Sequence, residues 1–377
     1  MTVFKREIET NIRERLFKGK AILLFGPRQA GKTTLSKKLL REYGSEDGYF
    51  NCELASVRMA FIPGHPEHIR DLIGVRKFVV FDEAQTIPDI GSILKTFQDM
   101  YQDVQVIATG SSSFDLANKI NEPLTGRAFE FTLLPLSVSE VREAFGAVSR
   151  ERIEELMLLG SYPGIVAEKD VAVKKDILRG LATNYLYKDI FAFEAIRNPR
   201  VFEDLVRLLA LQTGSLVSFN ELSQSLGVAR ATVERYLRLL EQSYVVKTIR
   251  TFSRNPRTEI KKGFKVFFYD TGIRNAVLND LSDIRSRGDV GPLFENFCVS
   301  ERMKRSLYGD GASVMFWRNR QGAEVDIVEV SGGNLRAFEC KWSASAKAPN
   351  RGQFLRAYPE ATFGILTPDS WAKIESP

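Results

Sequence analysis

Gly26-Pro27-Arg28-Gln29-Ala30-Gly31-Lys32-Thr33 has the spacing G-x-x-x-x-G-K-T. The chemistry open to such a run is phosphate binding. Glycines at both ends let the loop curl so that its N–H groups point inward, and a following helix adds partial positive charge at its N-terminus. Lys32 would meet the β- and γ-phosphates of a nucleotide, the Thr33 hydroxyl would ligate magnesium, and Thr34 would border the same phosphates. A second element fits the first. Lys77-Phe78-Val79-Val80-Phe81-Asp82-Glu83 is an apolar run closed by two acids. At the C-terminal edge of a parallel sheet, Asp82 would hold the magnesium and Glu83 would orient or deprotonate the attacking water. The expected ligands are therefore ATP and Mg²⁺, and the expected reaction is ATP hydrolysis.

Two polar positions nearby admit two readings each. The run Val104–Ala108 leads into Thr109-Gly110-Ser111-Ser112-Ser113. Thr109 or Ser111 would sense the γ-phosphate there, or a serine would cap a helix. Arg127, after Leu124-Thr125-Gly126, would stabilise transition-state charge in a neighbouring subunit of a homo-oligomer, or would be a surface ion-pair residue.

A third group of acids sits near the C-terminus. Glu324 and Asp326 alternate with Val325 and Ile327, and Glu339 and Lys341 flank Cys340. On strands, such alternation puts the acids on one face and the apolar residues on the other. Two or three acids aimed at one point need a cation or basic neighbours, and Lys341 and Arg318 are the candidates.

These residues need elements to position them. The spacing of Phe4, Ile8, Ile12 and Leu16 predicts a helix over 3–18. Strands are expected over 20–25, 77–83, 104–108 and 128–132, with a helix from Thr33 to near Gly44. Residues 150–210 are helical in pattern. In 218–240, two helices around Leu226-Gly227-Val228 read as a helix-turn-helix, with Arg230, Thr232, Arg235 and Arg238 on or beside its second helix. Val245–Tyr269 then reads as a hairpin wing. Residues 227–275 hold 11 Lys/Arg against four Asp/Glu, a local excess larger than the chain's net +6. Basic charge concentrated beside such a helix pair suits DNA, although similar modules also bind protein. Beyond Gly291-Pro292, a helix carrying Glu295 precedes three strands, 313–318, 322–330 and 335–342.

At this point the resemblance is to a family of prokaryotic AAA+-type ATPases whose C-terminal region is of unknown function. It is carried by Gly26–Thr34, Phe81-Asp82-Glu83-Ala84-Gln85, Thr109-Gly110-Ser111-Ser112, Leu124-Thr125-Gly126-Arg127, Leu134-Pro135-Leu136-Ser137 and Gly160-Ser161-Tyr162-Pro163-Gly164. It implies an α/β fold in four parts: an AAA+-like ATPase core (1–145), a helical segment (146–210), a winged helix (211–275) and a nuclease-type domain (276–377). The C-terminal acids resemble the PD-(D/E)xK restriction-endonuclease pattern. That likeness implies that Asp326 and Glu339 hold Mg²⁺ or Mn²⁺, that Lys341 positions water, and that Glu295 is an extra acid. Cleavage and mere binding are both open for such a fold. The roles implied are DNA recombination, repair, branched-DNA handling, mobile elements or defence. The rival is a signalling or scaffold ATPase whose C-terminal parts bind protein.

Composition bounds the rest. With 377 residues, more than one core is expected. At 44% hydrophobic and 27% charged the chain is ordinary for a soluble protein. No apolar run approaches the roughly 20 residues of a membrane span, and residues 1–7 are polar, so a cytoplasmic location without membrane contact is expected. The two histidines, His65 and His68, and three scattered cysteines, Cys52, Cys298 and Cys340, leave little room for histidine nucleophile chemistry or a zinc knuckle. Metal chemistry is therefore expected to rest on carboxylates; His65 and His68, three residues apart, would share a metal or, as expected, lie on a surface loop.

Overall fold

The computed structural model describes residues 3–110, 124, 126–183, 196, 198–254, 263–343 and 350–373. The chain divides into two compact units, Met1–Pro135 with Gln242–Tyr244, and Leu136–Glu241 with Val245–Pro377.

In the first unit, strands β1 (Ala21–Phe25), β2 (Tyr49–Asn51), β3 (Phe78–Asp82), β4 (Gln105–Gly110) and β5 (Ala128–Thr132) form one sheet in the order β2-β3-β4-β1-β5. Every pair in it is parallel. β1 and β3 are buried along their whole length, which is why their sequences are unbroken apolar runs rather than alternating ones. The helices are α1 (Ile8–Arg13), α2 (Lys32–Tyr43), α3 (Ala55–Arg58), α4 (Pro66–Ile73) and α5 (Ile90–Met100). α1 is shorter than its apolar spacing predicts. Phe4, Ile8, Ile12 and Leu16 are all buried. On one side, however, Arg6 is drawn out to hydrogen-bond distant carbonyls, and on the other Phe17 turns left-handed at φ 57°.

In the second unit, α6 (Val138–Phe145), α7 (Arg150–Leu159), α8 (Pro163–Ala167), α9 (Val171–Thr183) and α10 (Pro199–Leu211) come first. Ser137 and Glu140 form a reciprocal capping box that starts α6. The motif Gly160–Gly164 has a packing cause. A Cβ on Gly160 would lie 2.1 Å from Asp270 Oδ1, and that buried carboxylate also accepts the Ser161 N–H at 2.7 Å.

Next come β6 (Leu216–Val217), α11 (Phe219–Leu226), α12 (Arg230–Gln242), β7 (Val246–Arg250), β8 (Phe264–Phe268) and α13 (Thr271–Leu278). Ser218 caps α11 by accepting the Glu221 N–H, and Gly227 ends it in a left-handed turn at φ 64°, so α11 and α12 meet at a tight corner. β8 is the centre of an antiparallel three-stranded sheet, β6-β8-β7.

Last come α14 (Val290–Tyr308) and the strands β9 (Ser313–Arg318), β10 (Glu324–Ser331), β11 (Asn334–Cys340) and β12 (Thr362–Leu366), with α15 (Arg351–Ala357) and α16 (Pro368–Lys373). The sheet order is β12-β11-β10-β9, with β11 and β12 parallel and the other pairs antiparallel. One face packs Trp317, Val325, Val328, Leu335 and Ala337 against Phe354 and Tyr358. The architecture is thus an α/β chain with a five-stranded parallel sheet and a further sheet at its C-terminal end.

Candidate functional site

Lys32 opens α2, straight after the loop that leaves β1. Gly26 takes φ 143° and Gly31 φ 102°. At Gly26 no side chain fits, since a Cβ would sit 2.0 Å from the Leu133 carbonyl oxygen. Gln29 is left-handed without being glycine, at φ 59°. Strain of this kind is held only where the surroundings fix the loop. The brace is Arg6, which is buried and donates to Ala30 O and to Leu134 O, each at 2.6 Å. Lys32 Nζ, only 4% exposed, donates to the carbonyls of Gly26 and Pro27 at 2.8 and 2.9 Å. Burial pushes its ammonium down to about 8, against the pull of the Glu83 and Asp82 carboxylates. Pro27 and Ala30 are buried, Arg28 is half-buried, and Gln29 and Thr34 are exposed.

The C-terminal ends of β1, β3 and β4 lie side by side, which brings Asp82 to this loop. Three hydroxyls converge on its buried carboxylate. Thr33 Oγ1 donates to Oδ2 at 2.9 Å, Tyr49 Oη donates to the same oxygen at 2.5 Å, and Thr109 Oγ1 donates to Oδ1. Burial, and after it the Asp82 carboxylate, drives the Tyr49 phenol well above its ordinary range, so it stays a donor. Lys37 Nζ sits 3.9 Å from the centre of the Tyr49 ring. Glu83 follows in a left-handed conformation at φ 54°, gives its N–H to Thr109 Oγ1 at 3.1 Å, and accepts from Gln85 Nε2. Thr33 and Asp82 thus present two oxygens 2.9 Å apart, a donor set that fits Mg²⁺.

Thr109 stands between the loop and the two acids. Ser111 lies outside the described residues, as does Thr125. Arg127 Nε pairs with Asp99 Oδ1 at 2.6 Å on an exposed edge, both side chains close to half exposed.

In the second unit the C-terminal acids come together in part. The register of β10 shifts between Val325 and Val328, and both of those residues face the apolar cluster. Strict alternation is therefore interrupted between Val325 and Val328, within the stretch that holds Asp326, while Glu324 and Asp326 both act on Glu295. Asp326 Oδ2 accepts the Cys340 N–H at 2.8 Å, across to β11. Glu339 is buried; its Oε2 pairs with Lys341 at 2.9 Å, while its Oε1 is buried with no hydrogen-bond partner among the described residues. Burial and the neighbouring Asp326 push the Glu339 carboxyl up to about 7. Glu295, on α14, is pushed up to about 8, mainly by burial and then by Asp326 and Glu324, against the opposing pull of Lys265. Glu324 meets Arg318 at 3.4 Å, and its other oxygen is taken by Lys265 at 2.6 Å.

Glu295, Asp326 and Glu339 do not all fall within 4.8 Å of one another. Among the described residues, the trio of His, Cys, Asp or Glu that does is the exposed His65, Glu67 and His68; His65 is the N-cap residue of α4 and His68 lies in its first turn, which Pro66 opens, rather than on the expected loop. An orphaned, buried carboxylate oxygen beside a second carboxylate nonetheless fits a divalent cation between Asp326 and Glu339.

Arg230 and Arg238 are exposed on α12 and line a groove of about 480 Å³ with Phe219, Thr248, Arg250 and Phe264. Arg235 is half-buried on another side of the helix, over the ring of Tyr236. The local basic excess is smaller on the surface than in the sequence. Lys265 and Arg274 are each 2% exposed, and Arg274 is paired with Asp289. Arg257, Lys261 and Lys262 lie outside the described residues.

Residues 18–142 match the model of an AAA domain. Residues 150–283 and 290–371 match two domains of unknown function, DUF8612 and DUF4143. The first unit is a P-loop ATPase domain. An uncharacterized protein of Mycobacterium tuberculosis is 29% identical over 350 residues, spanning 90% of this chain and 74% of the relative. One of Methanocaldococcus jannaschii is 22% identical over 379 residues, spanning 95% and 81%. Among solved structures, the Aeropyrum pernix ORC2 protein (ADP form) is 15% identical with a TM-score of 0.36, covering 75% of this chain and 96% of that one. The Aeropyrum pernix ORC1 protein in complex with DNA is 16% identical with a TM-score of 0.33, covering 74% and 93%. Among the described residues, no helix is long and apolar enough to cross a membrane.

Arg6, Tyr49 and Lys265 escape motif reading. Arg6 and Tyr49 have no local signal, since each acts on residues at least 24 positions away. Lys265 has one: a lysine inside Phe264-Lys265-Val266-Phe267-Phe268 is a charge in a buried strand, which calls for a buried partner.

Proposed function

We propose that the chain is a Mg²⁺-dependent ATPase that binds DNA and couples hydrolysis to DNA handling. The observation that carries the reading is the convergence of Thr33, Tyr49 and Thr109 on Asp82 beside the phosphate loop. The loop N–H groups and the Lys32 ammonium bind the triphosphate, and Glu83 orients the attacking water. Thr33 and Asp82 would hold Mg²⁺, which would supply charge neutralisation for the phosphates. Thr109 ties both acids together, which supports it as a γ-phosphate sensor. Arg127 is the candidate charge donor to a neighbouring subunit, and its exposed pairing with Asp99 leaves it within reach of a partner.

DNA binding is supported by Arg230, Arg238 and Arg250 around one groove. In this reading α11, α12 and the β7–β8 pair act as a winged helix, and the C-terminal sheet with α14 acts as a nuclease-like domain. There Asp326 and Glu339 would hold the cation, Mg²⁺ or Mn²⁺, and Lys341 would position water or stabilise charge.

The test is the ATPase rate with and without duplex, single-stranded and branched DNA. Lys32→Ala should abolish nucleotide binding or turnover. Glu83→Gln should bind ATP and hydrolyse it about 100-fold or more slowly. Stimulation by one DNA form supports the coupling, and a rate indifferent to all three forms rejects it.

A further inference from the structure

Lys265 projects from the middle strand of the β6-β8-β7 sheet into the acid cluster of the C-terminal sheet. It is 2% exposed, and its Nζ lies 2.8 Å from Glu295 Oε1 and 2.6 Å from Glu324 Oε1. The two carboxylates come from different elements, α14 and β10, so the ammonium is the junction between them. Gly214 packs close to Glu295: a Cβ there would stand 3.0 Å from Glu295 Oε2.

Four carboxylates, Glu295, Glu324, Asp326 and Glu339, share this region with two ammonium groups, Lys265 and Lys341. Arg318 reaches Glu324 only at the rim, 3.4 Å away and 41% exposed. The interior pairing is lopsided. Lys265 takes Glu295 and Glu324, Lys341 takes one oxygen of Glu339, and the other Glu339 oxygen has no partner among the described residues.

We propose that Lys265 is a built-in counter-ion that competes with a divalent cation for this cluster and so sets the cluster's metal affinity. The proposal rests on reading the cluster as a cation site. With Lys265 in place, Glu295 and Glu324 are closed on the ammonium, and Asp326 with Glu339 is the part left for a metal. That division accounts for the failure of Glu295, Asp326 and Glu339 to close into a trio. The plug is also well placed to report on the groove. Successive strand residues face opposite ways: Phe264 lines the groove with Arg230, Arg238 and Arg250, and Lys265, next to it, enters the acids.

The test is Mn²⁺ binding to the full chain without ATP, read by electron paramagnetic resonance and calorimetry. The binding counted is the fraction lost in Asp326→Ala. Lys265→Met keeps the apolar stem and removes the charge. It should tighten that fraction on the order of tenfold, because a positive neighbour in a low-dielectric site is gone. Should Lys265→Met not fold, Lys265→Gln decides, since it removes the charge while its amide can still donate to Glu295 and Glu324, and it should tighten the same fraction. Unchanged or weaker binding in the deciding variant, with the Asp326-dependent fraction present in wild type, overturns the counter-ion role alone. Absence of any Asp326-dependent fraction overturns the cation site and the counter-ion with it.

Discussion

At the residue scale, Asp82 shows how a single carboxylate is held ready. Three hydroxyls satisfy it, and only Thr33 belongs to the contiguous motif. Tyr49 reaches it from β2, whose Asn51 pairs with Asp82 in the sheet register. A group that orients a metal-binding carboxylate without touching the metal changes affinity about 10- to 100-fold when removed. Tyr49→Phe keeps the ring under Lys37 and deletes only the donor. The expected result is a Mg²⁺ half-saturation for ATP turnover raised about tenfold at little cost in folding. Titrating Mg²⁺ at saturating ATP checks this; an unchanged half-saturation would leave Tyr49 a packing residue only.

At the element scale, α12 carries basic residues on two sides with different surroundings. Arg230 and Arg238 border the groove, while Arg235 lies against Tyr236. Counterion release makes each phosphate-contacting cation lower the salt slope of DNA binding by about one. Arg230→Gln with Arg238→Gln should therefore weaken DNA affinity and flatten log K against log salt by about two. Arg235→Gln should move both much less. Equal effects from all three positions would mean that the contact surface is not the groove. The expected basic wing is thinner than its composition, because Lys265 is spent on Glu295 and Glu324.

At the scale of the whole molecule, the nucleotide loop lies in the first unit and the acid cluster in the second. Asp326→Ala should thus abolish any metal-dependent DNA nicking and leave basal ATP turnover within twofold or so, since sites built in separate units without a shared partner behave independently. Assembly is tested through Arg127. If it acts on a neighbour's nucleotide, Arg127→Ala chains are inactive alone. Mixing them with Lys32→Ala chains restores part of the turnover, where an intact Arg127 meets an intact loop. No recovery in exchanging oligomers, or a strictly monomeric enzyme, would remove Arg127 from catalysis and leave it as the partner of Asp99.

The phosphate loop was legible without coordinates because its requirements are local. Two left-handed glycines, a lysine and a threonine must follow one strand and open one helix, and all of that is written in adjacent residues from Ala21 to Tyr43. The Asp82-Glu83 pair, the corner at Gly227 and the strands bearing Glu324, Asp326 and Glu339 are legible for the same reason. Partners brought from afar are not. Arg6 bracing Ala30, Tyr49 on Asp82 and Lys265 between Glu295 and Glu324 are joined by sheet register and helix packing, over separations of 24 to 59 positions. The irregularity at Asp326 is likewise a pairing event between β9 and β10, which no pattern within β10 alone records. Which of the acids is closed on a lysine and which keeps an open oxygen was decided by the tertiary structure, because charge in an interior is assigned by whichever neighbour the fold delivers.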